Sequence, residues 1–336
     1  MPETTKPFDH RHAAHCESGT MSGLLRNRGL DLSEPMVFGI GGGIFFIFVP
    51  FIKMGGIPLT AYRITPGGIV KNCCKRLGIS LRTMRFRAPQ AGTDALERLV
   101  AAGTPVGLRT SVFWLPYFPK DMRFQFNAHH LIVYGKEGDD YLISDPVFEH
   151  TVRCPAQELR KARFTKGLFA PKGYLFYPED IPSSPDVRGA VRAAILATAK
   201  RMLGLPLLPF IGVRGIRYMA NKMRGWPAKL GEHGALSYVG SVVRMQEEIG
   251  TGGAGFRFMY TAFLQDAAEL LGNPHVKEAA RMMGDAGDEW RDFAVKGARA
   301  CKEHRADPDG FKKLSDIVAG CAQREEKIYR LLKEKV

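Results

Sequence analysis

Three residue types in this chain have the order and spacing for nucleophilic chemistry on an acyl group. Cys16 is followed 113 positions later by the pair His129-His130, and Asp145 lies 16 positions beyond His129. A thiolate attacks a carbonyl carbon, an imidazole delivers a proton to the leaving group, and a carboxylate fixes the orientation of that imidazole. The order therefore predicts a cysteine enzyme that transfers or cleaves acyl groups.

The residues around Cys16 predict that its thiol lies at the start of a helix. Glu17 and Ser18 are typical of a first helical turn, and Met21 and Leu24 follow at helical spacing. The partial positive charge at a helix N-terminus stabilises a thiolate and lowers the pKa of the thiol. We therefore expect Cys16 to be activated by its own helix.

The two adjacent histidines cannot be separated by periodicity. Side chains alternate along a strand, so His129 shares a face with Leu131, whereas His130 shares the opposite face with Ile132. Only one of the two rings is then expected to face Cys16. The pattern alone leaves both histidines open as the catalytic base.

The composition is that of a folded protein without a metal or cofactor motif. The chain has 336 residues, of which 45% are hydrophobic and 24% are charged, enough for one large domain or two smaller ones. Its six cysteines have no metal-ligand spacing, and no apolar secretory segment opens the sequence. We therefore expect reduced thiols, no metal, no cofactor and a cytoplasmic location, with peripheral contact at the inner membrane surface as an alternative.

The net charge of +14 indicates which classes of binding partner to expect. The positive residues form no long run, and no helix-turn-helix, zinc-finger or RNA-recognition motif is visible, so no nucleic-acid partner is expected. A basic surface suits an acidic protein or an anionic membrane. Residues 202–227 mix leucines with arginines and are a candidate for membrane contact. The favoured interpretation of that segment is a packed connector with solvated arginines.

Turn signals and periodicity divide the chain into two domains. Residues 8–180 combine early helices with later strands, including a hairpin over residues 129–144, which is typical of an α+β domain. Pro182 and Pro185 indicate a linker, and helical patterns without a convincing strand follow. We predict an α+β domain over residues 8–180 and an all-α domain over residues 186–336.

A glycine-rich apolar run over residues 36–52 is shorter than the roughly 20 apolar residues of a transmembrane helix. Gly41, Gly42 and Gly43 have neither a P-loop ending nor the context of a dinucleotide site. We expect a buried turn leading into an apolar strand or helix, with these glycines lining a substrate site as an alternative. Trp114 is a second candidate lining residue, for which core packing is the favoured interpretation.

The chain resembles the butirosin biosynthesis protein H family. The residues that support this are His15-Cys16-Glu17-Ser18-Gly19, Leu32-Ser33-Glu34-Pro35, 38–43, 129–135 and Ser144-Asp145-Pro146. The resemblance covers about residues 8–180. The stretch over residues 250–264 resembles the helical domain often found behind this one.

This resemblance implies a papain-like, C39-like fold and a cysteine acyltransferase. The family's namesake takes an acyl group from an acyl-carrier-protein thioester and places it on an aminoglycoside amine. By resemblance, Cys16 is the nucleophile, His129 the general base and acid, and Asp145 the orienting residue, because such enzymes have similar offsets between these positions.

The resemblance also implies the substrates of this reaction. The donor would be an acyl carrier protein or acyl-CoA, and the acceptor an amine or hydroxyl of a small molecule or lipid. Arg257 and Tyr260, within the second resemblance, are candidate substrate-lining residues.

One position departs from the papain-like pattern. Such enzymes usually carry a glutamine about six residues before the cysteine as an oxyanion donor, and His10 occupies that position here. A histidine N–H or the Cys16 amide could donate instead. The missing glutamine slightly disfavours an ordinary peptidase. A C39-like peptidase or amidase, and a non-catalytic scaffold that binds a partner or a membrane, are the alternatives to acyl transfer.

Overall fold

The computed structural model describes residues 8–204, 208–248 and 250–336, which fall into two compact units. The first unit contains described residues 8–37 and Ile69–Pro185, and the second contains Phe38–Gly68 and Asp186–Val336. Strands and helices mix in the first unit, and helices dominate the second, which confirms the predicted fold class. The predicted domain boundaries differ from this division, because residues 38–68 group with the C-terminal helices.

The elements follow the chain in this order. The helices are α1 Cys16–Arg26, α2 Glu34–Ile40, α3 Gly68–Leu77, α4 Pro89–Ala101, α5 Ala156–Phe164, α6 Val187–Leu203, α7 Gly212–Met223, α8 Trp226–Glu247, α9 Arg257–Leu271, α10 Pro274–Lys302 and α11 Pro308–Lys335. The strands are β1 Ile44–Met54, β2 Ile57–Arg63, β3 Ser80–Met84, β4 Val106–Thr110, β5 His129–Glu137, β6 Asp140–Ser144, β7 Val152–Pro155 and β8 Leu175–Asp180.

The first unit is built on a six-stranded antiparallel sheet with the strand order β3-β8-β4-β5-β6-β7. β5 and β6 form the predicted hairpin, in which Ile132 pairs with Ser144. Because the two strands run in opposite directions, the start of β5 lies beside the end of β6. This topology brings His129, the first residue of β5, next to Asp145, which follows β6.

The alternation of side chains along β5 separates the two faces of the sheet. Leu131 and Val133 point into the main core of the first unit, together with Leu108 of β4 and Ile143 of β6. Ile132 points to the opposite face, where a Cβ added to Gly23 of α1 would come within 2.9 Å of its Cδ1 atom. Helix α1 therefore packs against the face of β5 opposite that core.

The second unit pairs the β1–β2 hairpin with the C-terminal helices. Phe46 of β1 packs against Tyr62 of β2 and Trp290 of α10, with ring centroids 5.3 and 6.1 Å apart. The apolar run over residues 36–52 thus becomes the end of α2, a glycine turn and a strand. The predicted glycine-rich turn leading into an apolar strand or helix is confirmed, whereas the antiparallel partner β2 was not predicted.

Residues 202–227 contain the candidate for membrane contact, of which residues 205–207 lie outside the described part of the chain. Within this segment, α7 buries Val213, Ile216, Met219 and Met223 inside the second unit. Its apolar face is therefore already covered, as expected for a packed connector. None of the helices in the described ranges has the length and hydropathy needed to cross a membrane.

Candidate active site

Cys16 is the first residue of α1, as predicted from its surroundings. His15 caps the helix, because its Nδ1 accepts a hydrogen bond from the Ser18 amide at 3.4 Å. The Glu34 carboxylate accepts hydrogen bonds from the Ala14 and His15 amides at 2.9 and 2.8 Å. These contacts fix the backbone that leads into Cys16 and hold the thiol at the positive end of the helix.

Glu17 ties the start of α1 to the start of α3. Its side chain is fully buried, and its Oε1 accepts hydrogen bonds from the Ile69 and Val70 amides at 2.9 and 3.3 Å. Amides in the first turn of a helix lack intrahelical acceptors, so this carboxylate satisfies two donors of α3. Glu17, the residue next to Cys16, therefore holds the start of α1 against the start of α3.

Gly19 allows α1 to approach the turn that follows β6. A Cβ at this position would lie 2.6 Å from the Cβ of Ala13 and 2.7 Å from the Cβ of Pro146. The Ala13 amide also donates a hydrogen bond to the Pro146 carbonyl at 2.6 Å. A side chain at Gly19 would force α1 away from the Asp145-Pro146 turn, so the glycine is required for this close packing.

His129 and Asp145 form a buried pair. His129 Nε2 lies 2.7 Å from Asp145 Oδ2, and both side chains are almost inaccessible to solvent. The Val147 amide donates to the other carboxylate oxygen at 3.3 Å. Because His129 Nε2 is hydrogen-bonded to Asp145, Nδ1 is the ring nitrogen of His129 that is available to Cys16.

The Cys16 thiol and the His129 imidazole affect each other's pKa: the pKa of the thiol is lowered and the pKa of the imidazole is raised. Burial alone would raise the pKa of Cys16, but hydrogen-bonding contacts and electrostatic interactions with the His129 and His130 rings outweigh burial and lower that pKa to about 6. Burial opposes the charged form of His129, but the charge and hydrogen bond of Asp145 and the contact with Cys16 raise the pKa of His129 to about 10. The arrangement favours a thiolate–imidazolium pair at neutral pH.

His130 is also close to the thiol, which alternation along the strand did not predict. Its ring is fully buried, and neither ring nitrogen has an oxygen or nitrogen partner among the described residues. It helps to lower the pKa of Cys16, because the thiol lies beside the beginning of β5 and both histidine rings contact it there. His129 differs from His130 because Asp145 holds its ring. A catalytic histidine requires such an acid to fix the orientation of the imidazole.

His10, the predicted oxyanion donor, is engaged elsewhere. Its Nε2 donates to the Phe148 carbonyl at 3.0 Å, and its Nδ1 lies 2.8 Å from the Ser144 hydroxyl. Both ring nitrogens are therefore used in holding the N-terminal segment to the end of β6. Since neither nitrogen remains for an oxyanion, the geometry contradicts this role for His10.

The predicted lining residues Gly41, Gly42 and Gly43 belong to the second unit, whereas Cys16 belongs to the first. Arg201 donates to the Gly42 carbonyl at 2.5 Å, and a Cβ at Gly43 would lie 2.4 Å from the Phe38 ring. Within their unit, Gly42 and Gly43 therefore serve close packing.

Arg257 and Tyr260 are in the interior of the second unit. Arg257 forms a fully buried ion pair with Glu325, whose Oε1 also accepts from Trp290 Nε1 at 2.7 Å. Trp114 belongs to the first unit, where its half-buried ring packs against the main core. These surroundings are those of structural side chains, and for Trp114 they match the core packing favoured above.

Three residues that the sequence did not identify as site residues also contact the candidate site. Tyr117 donates to Asp145 Oδ2 at 2.9 Å, and Glu34 and Glu17 hold the backbone around Cys16 as described above. Glu34 lies in the Leu32–Pro35 stretch of the family resemblance, which was the one signal that could have indicated it. Within the described residues, no group of three or more His, Cys, Asp or Glu side chains could hold a metal ion.

An α+β unit that sets a helix-start thiol beside a buried His–Asp pair has the arrangement of a papain-like cysteine enzyme. Residues 15–146 match the family model described as butirosin biosynthesis protein H, N-terminal, which confirms the resemblance inferred from the sequence. The chain belongs to the family described as Domain of unknown function (DUF4872), whose model matches residues 157–332, just over half of its length.

The solved structures that match the chain include a neighbour of low sequence identity. It is a Bacillus anthracis protein whose crystal structure is described as that of a C39-like peptidase, at 14% identity and a TM-score of 0.36. The match covers 52% of this chain and 96% of the other chain. No curated protein matches the sequence.

Proposed function

We propose that this protein is a cysteine acyltransferase that moves an acyl group from an acyl-carrier-protein or acyl-CoA thioester to an amine or hydroxyl acceptor. The observation that carries the proposal is the position of Cys16 at the start of α1 beside the buried His129–Asp145 pair, an environment that lowers the pKa of the thiol. A thiol ionised at neutral pH is a nucleophile for carbonyl carbon. The choice of acyl transfer rests on the match of residues 15–146 to the butirosin biosynthesis protein H family.

The reaction would proceed in two steps, formation of a Cys16 thioester and its resolution by the acceptor. Cys16 Sγ forms a bond to the acyl carbon, the carbon–sulfur bond of the donor breaks, and the departing thiolate takes the proton from His129 Nδ1. The acceptor amine or hydroxyl then attacks the Cys16 thioester and passes its proton back to His129, while the bond to Sγ breaks. Asp145 holds the imidazole through both steps.

The amide of Cys16 is the candidate oxyanion donor, since His10 is engaged. It lies at the first position of α1, where backbone N–H groups have no intrahelical acceptor. Such a donor stabilises the negative charge that develops on the carbonyl oxygen. The net charge of +14 gives weaker support for an acidic donor protein such as an acyl carrier protein.

The test is intact-protein mass spectrometry after incubation with a panel of acyl-carrier-protein and acyl-CoA thioesters. The wild-type protein should gain the mass of the acyl group, and Cys16→Ala should not. Cys301→Ala is the matched control, because Cys301 is a partly exposed thiol whose pKa is raised by burial. An adduct that persists in Cys16→Ala and disappears in Cys301→Ala would refute the assignment.

The fate of the acyl-enzyme separates transfer from its alternatives. Addition of an amine should discharge the adduct as an amide faster than water discharges it as an acid. Faster release of free acid would favour a peptidase or amidase that uses the same residues. A Cys16 that reacts neither with thioesters nor with a thiol reagent would favour a non-catalytic scaffold.

A further inference from the structure

The hydroxyl of Tyr117 contacts the same carboxylate oxygen that holds His129. It donates a hydrogen bond of 2.9 Å to Asp145 Oδ2, and His129 Nε2 lies 2.7 Å from that atom. Burial and the negative charge of Asp145 raise the pKa of Tyr117 well above its ordinary value, so the hydroxyl keeps its proton and acts as the donor. One oxygen of the buried acid therefore receives two donors.

The turn that carries Tyr117 is held on both sides by one guanidinium group. Arg123 Nε donates to the Phe118 carbonyl at 2.7 Å, and Arg123 Nη2 donates to the Pro116 carbonyl. The Phe118 amide also donates to the Leu115 carbonyl at 3.2 Å, and Leu115 is fully buried. The position of the Tyr117 hydroxyl is thus fixed by the backbone of its own turn.

The residue after Tyr117 packs against the imidazole itself. The rings of Phe118 and His129 meet edge to face with centroids 5.4 Å apart. Phe148, three residues after Asp145, packs against both Tyr117 and Phe118 with centroids 5.4 and 4.8 Å away. Two consecutive residues of one turn therefore contact the two members of the His–Asp pair.

We propose that Tyr117 is a positioning residue that fixes the Asp145 carboxylate so that its Oδ2 faces His129. A carboxylate held only by His129 and the weaker Val147 contact could rotate about its side-chain torsions. With Tyr117 in place, the orientation that stabilises the imidazolium, and through it the Cys16 thiolate, is set before substrate binds. This inference rests on the proposed role of Cys16 as the nucleophile.

The test compares two tyrosine-to-phenylalanine variants of the full chain. Alkylation of Cys16 by iodoacetamide is followed as a function of pH by peptide mass spectrometry in the wild type, Tyr117→Phe and Tyr141→Phe. Tyr141 is the matched control, because it lies in the same core and its hydroxyl donates to Glu97 at 3.3 Å. Tyr117→Phe should lower the rate at neutral pH by roughly 2- to 15-fold, because loss of a hydrogen bond to a charged group would raise a thiol midpoint near 6 by about one to two pH units.

The midpoint of the pH profile in Tyr117→Phe should also move upward, and Tyr141→Phe should change neither quantity. A Tyr117→Phe profile that overlays the wild-type profile would overturn the proposal. An unreactive wild-type Cys16 would instead refute the proposed nucleophile, which keeps the two failures distinguishable.

A double variant separates positioning from a general effect on folding. If Tyr117 acts through Asp145, Tyr117→Phe should have no further effect on Cys16 alkylation in an Asp145→Asn background. An equal loss of rate in both backgrounds would contradict the proposal, because Tyr117 would then act on the fold. Thermal unfolding of each variant shows whether the protein remains folded under the conditions of the assay.

Discussion

At the scale of single residues, the candidate site depends on two buried groups that ionise together. The pKa of Cys16 is lowered to about 6 by contacts with His129 and His130, and that of His129 is raised to about 10, first by Asp145 and then by Cys16. Between these values the pair is expected as thiolate and imidazolium. Because the groups interact strongly, a titration will report the two pKa values of the pair.

The two histidines should differ in their effect on the Cys16 acyl-enzyme. His129→Ala should slow its formation by about 100-fold or more, since a positioned acid–base group contributes on the order of 10²- to 10⁴-fold. His130→Ala should cost much less, because His130 has no acid to orient it. The rate is measured by intact-protein mass spectrometry, with thermal unfolding as the control for folding. Equal activity of the two variants would contradict the assignment.

The chemistry-bearing residues were more predictable from sequence than the residues that support them. Cys16 and Asp145 follow from residue type, order and spacing, and the preference for His129 came from the family resemblance. The structure pairs His129 with Asp145, while their catalytic roles stay a prediction. Tyr117 was not predictable, because its partner is 28 positions away and the surrounding aromatic stretch is indistinguishable from core. His10 was misassigned because spacing alone cannot show that its nitrogens are already bonded.

At the scale of elements, the antiparallel hairpin and α1 assemble the site. β5 and β6 bring His129 to Asp145, and the close approach of α1 at Gly19 brings the Cys16 helix to the turn after Asp145. The hairpin was predicted from strand and turn patterns, and the start of α1 from residue types typical of a first helical turn followed by apolar residues at helical spacing. β7 and α5 were not, because their short patterns are set by packing within the first unit.

Gly19→Ala should damage the site even though alanine is the better helix former. The new Cβ would lie 2.6–2.7 Å from Ala13 and Pro146, so the helix must move, at a cost of about 1–3 kcal/mol in the free energy of unfolding. The alkylation rate of Cys16 should fall as well.

Gly284→Ala is the matched control, because Gly284 is a glycine of α10 with space for a Cβ. It should stabilise the protein by about 0.5–1 kcal/mol. Denaturant unfolding measures both substitutions. A Gly19→Ala protein as stable and as reactive as the wild type would contradict the role of this close packing.

At the scale of the whole molecule, the second unit is discontinuous in sequence. Phe48 of β1 packs near Tyr218 and Trp226, with centroids 6.2 and 6.3 Å away, so residues 38–68 use C-terminal partners to cover their apolar side chains. The sequence indicated the linker before residue 186, but not this inserted segment. Contacts between residues more than a hundred positions apart leave no local pattern.

A fragment that ends at residue 185 should therefore fold poorly. It would expose the apolar side chains of β1, which should cause aggregation that light scattering detects. Replacing residues 38–68 with a flexible Gly/Ser linker in the same fragment should reduce this aggregation. A monomeric, cooperatively unfolding 8–185 fragment that retains its native insert would contradict the division into units.

The most direct test of the central claim is the pH dependence of Cys16 alkylation in the intact protein, resolved by peptide mass spectrometry. The other five thiols are internal controls, because burial raises the pKa of Cys73, Cys74, Cys154, Cys301 and Cys321. A lowered pKa keeps the Cys16 thiolate until the pH falls through about 6. We predict that Cys16 is alkylated first at neutral pH, with a midpoint near 6. A midpoint near the ordinary value of 9.0, or modification no faster than that of the other thiols, would contradict an activated nucleophile at this position.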